Sequence, residues 1–385
     1  MMNFSYLQPV KLCFGRGESK RVGQEVAQLG RKVLLVTGTT SCRKTGLLDR
    51  VTDALAASGV TCFLFERIES NPLSTTVDDG ARLARMHQCD VVLGVGGGSV
   101  MDAAKAIAFM AKHTGSVVDY LSASAPAGEA LPLVLMTTTA GTGSEGNCVA
   151  VVTNPATHDK LVFVSPALFA RTAIIDPTLM VTQTPAMVAS TGFDAMSHNI
   201  EALVGRYVQP MSAIMSREAI GLLARYLPRV WRDAGDLDAW DQVCWANTLG
   251  GMAIGLSACG LPHAMEHPLS GLYNITHGQG LAALYPALME FSWRDNVAGF
   301  AAVARAMSDD VAALSEEAQA RHSVVLIRQL LGTLALNFTL RDLGVDEKDI
   351  PWMADNCVQT MGFSLQQNPR IATRDEVEAL YRACL

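Results

Sequence analysis

What most constrains this chain is an alternation, along its first half, of short β-branched runs with stretches of helical period. Residues 32–37, Lys-Val-Leu-Leu-Val-Thr, form an apolar run that stops at Gly38. A helical pattern over 47–58 follows, then a run at 61–65, a helical pattern at 77–86 and the run 90–95. That last run enters Gly96-Gly97-Gly98-Ser99, with a helix predicted over about 101–113 and a further strand at 131–135. Continuous apolar runs separated by helices read as a mainly parallel sheet covered on both faces. After Ile174-Ile175-Asp176-Pro177 the pattern changes: long helical stretches dominate, at 211–226, 238–256 and 322–340, and strand-like runs nearly vanish. The chain therefore reads as an α/β domain, residues 1–178, followed by an all-helical domain, residues 179–385. No internal repeat is visible, and residues 122–128 read as a short loop.

Composition narrows the class. With 49% hydrophobic and 17% charged residues the chain has material for large cores and is unlike a disordered one. The 30 Lys and Arg against 37 Asp and Glu leave a net charge of −7, which argues against nucleic acid or an anionic membrane as partner. The opening Met-Met-Asn-Phe-Ser-Tyr-Leu-Gln-Pro lacks the pattern of a signal peptide, and no stretch has the ~20 apolar residues of a membrane helix. Nine scattered cysteines without a C-x-x-C pair point to a reducing compartment. A cytoplasmic protein is expected.

Two loops carry chemistry in the first half. Gly96-Gly97-Gly98-Ser99 stands where a strand enters a helix, so its backbone can turn sharply and approach an anion. The helix start offers that anion unpaired N–H groups and the positive end of its dipole. The spacing does not complete G-x-G-x-x-G. After the strand at 131–135 comes Thr137-Thr138-Thr139-Ala140-Gly141-Thr142-Gly143-Ser144-Glu145, a hydroxyl-rich loop placed to bind a polar ligand at the sheet's carboxyl edge. Together the loops predict a nucleotide site.

The second half carries histidines at telling intervals. Asp194 and His198 are four apart, as are His263 and His267, and His277 follows ten residues later. One carboxylate and several imidazoles make a mixed oxygen–nitrogen donor set suited to Fe²⁺, Zn²⁺ or a similar ion. The segment His263-Ala-Met-Glu266-His267 also spells H-x-x-E-H, the pattern of a zinc hydrolase with Glu266 activating water. That reading leaves both loops and the Asp194–His198 pair without a role.

Taken as a set, these residues resemble the iron-containing (group III) alcohol dehydrogenases over nearly the whole chain. The matching segments are Asn71-Pro72, Gly96-Gly97-Gly98-Ser99-Val-Met-Asp102-Ala-Ala-Lys105, the 138–145 threonine loop, Asp176-Pro177 and Thr191-Gly192-Phe193-Asp194-Ala-Met-Ser-His198. The later ones are His263-Ala-Met-Glu-His267-Pro268, His277-Gly278 and Asn368-Pro369-Arg370. The resemblance implies a Rossmann-like N-terminal domain and an all-α C-terminal domain, the dehydroquinate synthase-like fold, with NAD or NADP and a divalent metal in the cleft between them.

By resemblance Asp194, His198, His263 and His277 are the metal ligands, Fe²⁺ first and Zn²⁺ second, and His267 is a proton relay beside the nicotinamide. Gly96, Gly97, Gly98 and Ser99 would hold the pyrophosphate, and Gly38, Asn71, Asp102, Thr138, Thr139, Thr142 and Lys160 would complete the dinucleotide site. Where NAD-preferring members often carry an acidic residue against the ribose 2′-hydroxyl, this chain has Gly38, and Arg43 and Lys44 lie close by. NADP(H) is therefore expected to be accepted, alongside NAD(H). The activity implied is reversible oxidation of a small primary alcohol to its aldehyde, in a homo-oligomer that by resemblance is a dimer. A glycerol-dehydrogenase-like polyol oxidiser and a maleylacetate-reductase-like enzyme are the nearer alternatives.

Overall fold

The computed structural model describes residues 4–121 and 128–385. Residues 1–3 of the N-terminal reading, and all but Gly128 of the loop read at 122–128, lie outside them. Contacts divide the chain into one unit of residues 7–182 and another that contains 183–385 together with residues 4–6. The sequence placed this change near 178; the short helical segment Pro177–Thr182 closes the first unit.

The first unit holds strands β1 (Lys11–Phe14), β2 (Lys32–Gly38), β3 (Thr61–Ile68), β4 (Val91–Gly96) and β5 (Leu133–Thr137). A hairpin of β6 (Val149–Asn154) and β7 (Asp159–Val164) precedes β8 (Thr172–Ile175). Six of these form one sheet in the order β1-β8-β5-β4-β2-β3, with every pair parallel. The four apolar runs read from the sequence are β2 to β5. Neither β1 nor the hairpin was legible, because β1 is a half-exposed edge and β6 and β7 only partly bury their side chains.

Strand order decides where a ligand can sit. From β2 the chain steps outward to the edge strand β3, then returns to lay β4 on the other side of β2. The carboxyl ends of β2 and β4 thus flank the point where the winding reverses, the crevice in which open α/β sheets bind ligands. Gly38 closes β2 and Gly96 closes β4. Below them Val33, Leu35, Val91, Leu93, Val134 and Met136 join Val51 and Leu55 of the helix Leu47–Ala57 in one buried cluster. On this scaffold the loops at the strand ends are held by a continuous core.

Among the described residues of the second unit the regular secondary structure is helical. Its main helices include Pro185–Val204, Pro210–Arg232, Leu237–Ser257, Leu261–Tyr273, His277–Ser292 and Glu316–Thr333. The stretch predicted at 322–340 starts earlier, where Ser315 caps the helix, and ends at Thr333. Ala335, at a φ of 55°, turns the chain there while Leu336 and Leu340 stay buried, so the apolar pattern outlasts the helix. Among the described residues no helix is long and apolar enough to cross a membrane.

One buried cation ties the first unit's ligand edge to its core. From the helix Gly98–Met110, Lys105 Nζ donates to Ser144 Oγ at 2.7 Å, Asn147 Oδ1 at 3.0 Å and the Val149 carbonyl at 2.6 Å. Burial lowers its pKa to about 8, against the opposing pull of Asp102. Lys105→Met keeps the stem but leaves three acceptors without their donor. It is expected to cost about 2–4 kcal/mol in chemical denaturation, the range for stranded buried polar groups.

Candidate metal centre and dinucleotide loops

The centre begins on the helix Pro185–Val204, whose start is capped by Thr184 Oγ1 accepting from the Met187 N–H at 3.3 Å. Every residue from Gly192 to Val204 is buried, so each polar side chain in that stretch needs a partner. Asp194, His198 and Glu201, spaced i, i+4 and i+7, share one face of it. His263 comes from the helix Leu261–Tyr273, and His277 opens the helix His277–Ser292. Gly278 makes that last approach possible: a Cβ there would stand 2.0 Å from the Ser190 carbonyl oxygen.

Three imidazoles converge on one oxygen. Nε2 of His198, His263 and His277 lie 3.7, 3.5 and 3.6 Å from Asp194 Oδ1. Asp194 Oδ1 and His263 Nε2 are buried and have no hydrogen-bond partner in the protein. Such atoms are costly to bury unless something satisfies them. A divalent ion would do so, and one carboxylate with three imidazoles is a donor set that Fe²⁺ and Zn²⁺ both accept. The residues fit the metal that the resemblance implies.

Without an ion, the carboxylate and the imidazoles compensate one another's charge. Burial pushes the Asp194 carboxyl up, but His198, His277 and His263 together pull it well below the usual carboxylate range. Burial likewise opposes charge on the imidazoles, yet Asp194 raises His198, and Cys259 and Glu201 raise His263 well above the ordinary value.

Two further carboxylates orient the imidazoles: Glu201, which the sequence reading missed, and Glu266, which it met only within H-x-x-E-H. Glu201 Oε1 stands 2.7 Å from His263 Nδ1, and Glu266 pairs with His277 Nδ1. Each leaves Nε2 as the nitrogen turned toward Asp194, the arrangement usual at metal-bound histidine. Glu201 had a visible signal: an acidic residue seven places after Asp194 on an apolar helix. Glu266, completely buried, is engaged by His277 and by the Ser270 hydroxyl. The hydrolase reading required Glu266 to face water and His267 to bind zinc. Neither holds: His267 is absent from both donor groups that converge here, and its ring centre lies 6.1 Å from that of His277. The helix runs through Pro268 to Tyr273, so the proline does not end it.

In the first unit the two loops read from the sequence touch each other. A Cβ on Gly97 would lie 2.9 Å from Thr139 Oγ1, and one on Gly98 would lie 2.3 Å from Thr142 Cγ2. Gly97 caps the 13-residue helix Gly98–Met110 with extended backbone and no side-chain hydrogen bond, leaving the cap to a ligand. Gly96 and Thr137 are paired in register, which sets Ser99 and Thr138 beyond the same sheet edge. This cradle fits a dinucleotide phosphate.

Asp102 is committed to the chain, Oδ1 accepting from Ser144 Oγ at 2.6 Å and Oδ2 from the Val151 N–H at 2.9 Å. Asn71, at a φ of 54°, turns the loop whose Pro72 carbonyl accepts from the Thr153 N–H at 2.8 Å, and Thr153 pairs with buried Lys160 across the hairpin. Arg43 forms a two-point pair with Glu66 of β3, at 2.5 and 2.7 Å.

Residues 9–177 match the family described as iron-containing alcohol dehydrogenase, and residues 188–385 match the C-terminal part of the Fe-containing alcohol dehydrogenase family. The chain is 35% identical over 382 residues to the 1,3-propanediol dehydrogenase of Klebsiella pneumoniae, with 98% of each covered. It is 30% identical over 385 residues to the NAD-dependent methanol dehydrogenase of Bacillus methanolicus, with 100% of each covered. A solved archaeal halo-thermophilic alcohol dehydrogenase from a Red Sea brine pool matches with a TM-score of 0.96 at 33% identity, again over 100% of both chains. The chain belongs to the iron-containing alcohol dehydrogenase family and is an oxidoreductase of the alcohol dehydrogenase type.

Two outcomes are expected of metal titrations on stripped protein. Glu201→Gln should weaken divalent-ion binding by about 10–100-fold, the usual cost of losing an outer-ring partner. Affinity should also climb as pH rises through neutrality, because the raised His198 and His263 must lose their protons before they can bind an ion. A flat profile would mean that these imidazoles are not ligands.

Proposed function

We propose that the protein interconverts small primary alcohols and their aldehydes, using NAD(H) and one divalent ion held by Asp194, His198, His263 and His277. The convergence of three imidazole nitrogens on a single buried carboxylate oxygen carries this reading. Fe²⁺ is the first choice by family and Zn²⁺ the second. When bound, the ion supplies Lewis-acid polarisation of the alcohol oxygen, and the nicotinamide supplies the hydride acceptor. Asp194 gives the centre its negative charge, while Glu201 and Glu266 hold two imidazoles in the ligating orientation.

His267 is buried on the same helix as His263 but outside the donor groups, and it takes the role of accepting the alcohol proton. Gly97, Gly98 and Ser99 hold the pyrophosphate, with Thr138, Thr139 and Thr142 beside them. Relatives named for 1,3-propanediol, methanol and butanol support a primary alcohol as the substrate.

NAD(H) is the main cofactor in this reading. Relatives are described as NAD- or NADH-dependent, and the charge of Arg43 is already met by Glu66. Gly38 keeps NADP(H) acceptable, since no carboxylate stands there to repel a 2′-phosphate. The nearest atom to a Cβ at 38 is the Ile68 carbonyl oxygen at 3.5 Å, so a side chain fits. Nine free thiols support a cytoplasmic, reducing location, and a homodimer is the assembly proposed from the resemblance.

Nicotinamide absorbance, followed with NADH and NADPH against an aldehyde series, tests the reading, and no turnover with any short aldehyde would refute it. Gly38→Asp should cut kcat/KM with NADPH by about tenfold or more and spare NADH. His267→Ala should keep metal and dinucleotide binding while kcat falls by about 10²–10⁴ with an altered pH profile. A raised KM with an unchanged profile would make His267 a shaping residue only.

A further inference from the structure

The metal centre contains a donor that the family ligand set does not use. Cys259 lies in the turn between the helices Leu237–Ser257 and Leu261–Tyr273. Donor atoms of His198, Cys259 and His263 all fall within 4.8 Å of one another. Those of Asp194, His263 and His277 form a second group of the same compactness. The two groups overlap at His263, whose Nδ1 is held by Glu201 at 2.7 Å. Only Nε2 remains for an ion in either group, and that atom is buried without a protein partner. The rings of His198 and His263 lie parallel, 4.6 Å apart, so both present their edges to the same region.

Glu201 fixes the thiol's place as well as the imidazole's. Its Oε2 accepts the Gly260 N–H at 2.7 Å while Oε1 holds His263, so the residue after Cys259 and the ligand four residues on share one anchor. A thiol at this position is therefore set against the two imidazoles.

We propose that His198, Cys259 and His263 form a second, thiophilic ion site that overlaps the centre and decides which metal the protein retains. This rests on the metal-centre reading above. Mn²⁺, and Fe²⁺ more than Zn²⁺, favours the group with the Asp194 carboxylate, whereas Zn²⁺ and Cd²⁺ bind a thiolate more tightly. On binding, the Cys259 thiol releases its proton to solvent and a metal–sulfur bond forms, with no change of oxidation state. Because one nitrogen of His263 serves both groups, occupation of one excludes the other.

The test is a titration of metal-stripped full-length protein with Co²⁺, Zn²⁺ and, without oxygen, Fe²⁺, for wild type, Cys259→Ser and Cys259→Ala. The wild-type Co²⁺ complex is expected to show thiolate-to-cobalt charge-transfer absorption in the near ultraviolet, which both variants lose. Zn²⁺ affinity, read by competition with a chromophoric chelator, should fall about tenfold or more in the variants, while Fe²⁺ affinity stays within about threefold. Bound Co²⁺ without a charge-transfer band, or equal Zn²⁺ and Fe²⁺ affinities in wild type and variants, overturns the proposal and leaves the metal centre standing. Failure of the wild type to bind any of the three ions overturns the metal centre itself. Should both variants fail to fold, the wild-type spectrum alone decides.

Discussion

Glu201 is the constraint on which the metal centre depends. One buried carboxylate spans His263 Nδ1 and the Gly260 N–H, so it orients that imidazole and fixes the turn that delivers it. Asn368 secures the same turn from the other side, its Oδ1 accepting from the Leu261 N–H at 3.3 Å and its Nδ2 donating to Ser292 Oγ at 2.9 Å. A buried carboxylate is tolerated only when charge-assisted hydrogen bonds replace the water it lost. Here the bonds that make Glu201 tolerable are the same ones that build the site.

The sheet unit solves a different problem, the close approach of two backbones at the strand ends. Gly97 and Gly98 leave no side chain between the helix start and the threonines at 139 and 142, and a methyl at Gly98 would overlap Thr142. Beneath that contact, Asp102, Lys105, Ser144 and Asn147 form a buried polar network that locks the threonine loop to the helix. The exposed edge stays available to an anion because the charges below it satisfy each other.

Much of this was legible in the chain. The apolar runs that became β2 to β5 are continuous because both faces of each strand are covered, which makes them stand out from their flanks. Asp194, His198, His263 and His277 stood out as candidate donors from spacing together with the family resemblance, and the fold brings the three imidazoles to the Asp194 carboxylate. Glu266 was visible only within H-x-x-E-H, a pattern in one helix, and nothing in it says that Glu266 turns toward His277, from the next helix. Glu201 and Cys259 were passed over since each gains its meaning only from partners far along the chain.

By itself, then, the sequence determined the two-part architecture, the glycine and threonine loops, and the residue types able to hold an ion. Those are consequences of local period, composition and backbone freedom, which act over a few residues. Tertiary structure alone decided which histidine nitrogen is left for an ion, which carboxylate holds each ring, and that His267 stands apart despite its spacing from His263. Hydrogen bonds and metal–ligand geometry depend on distances of a few tenths of an ångström between separate helices, and only the packing of those helices sets them.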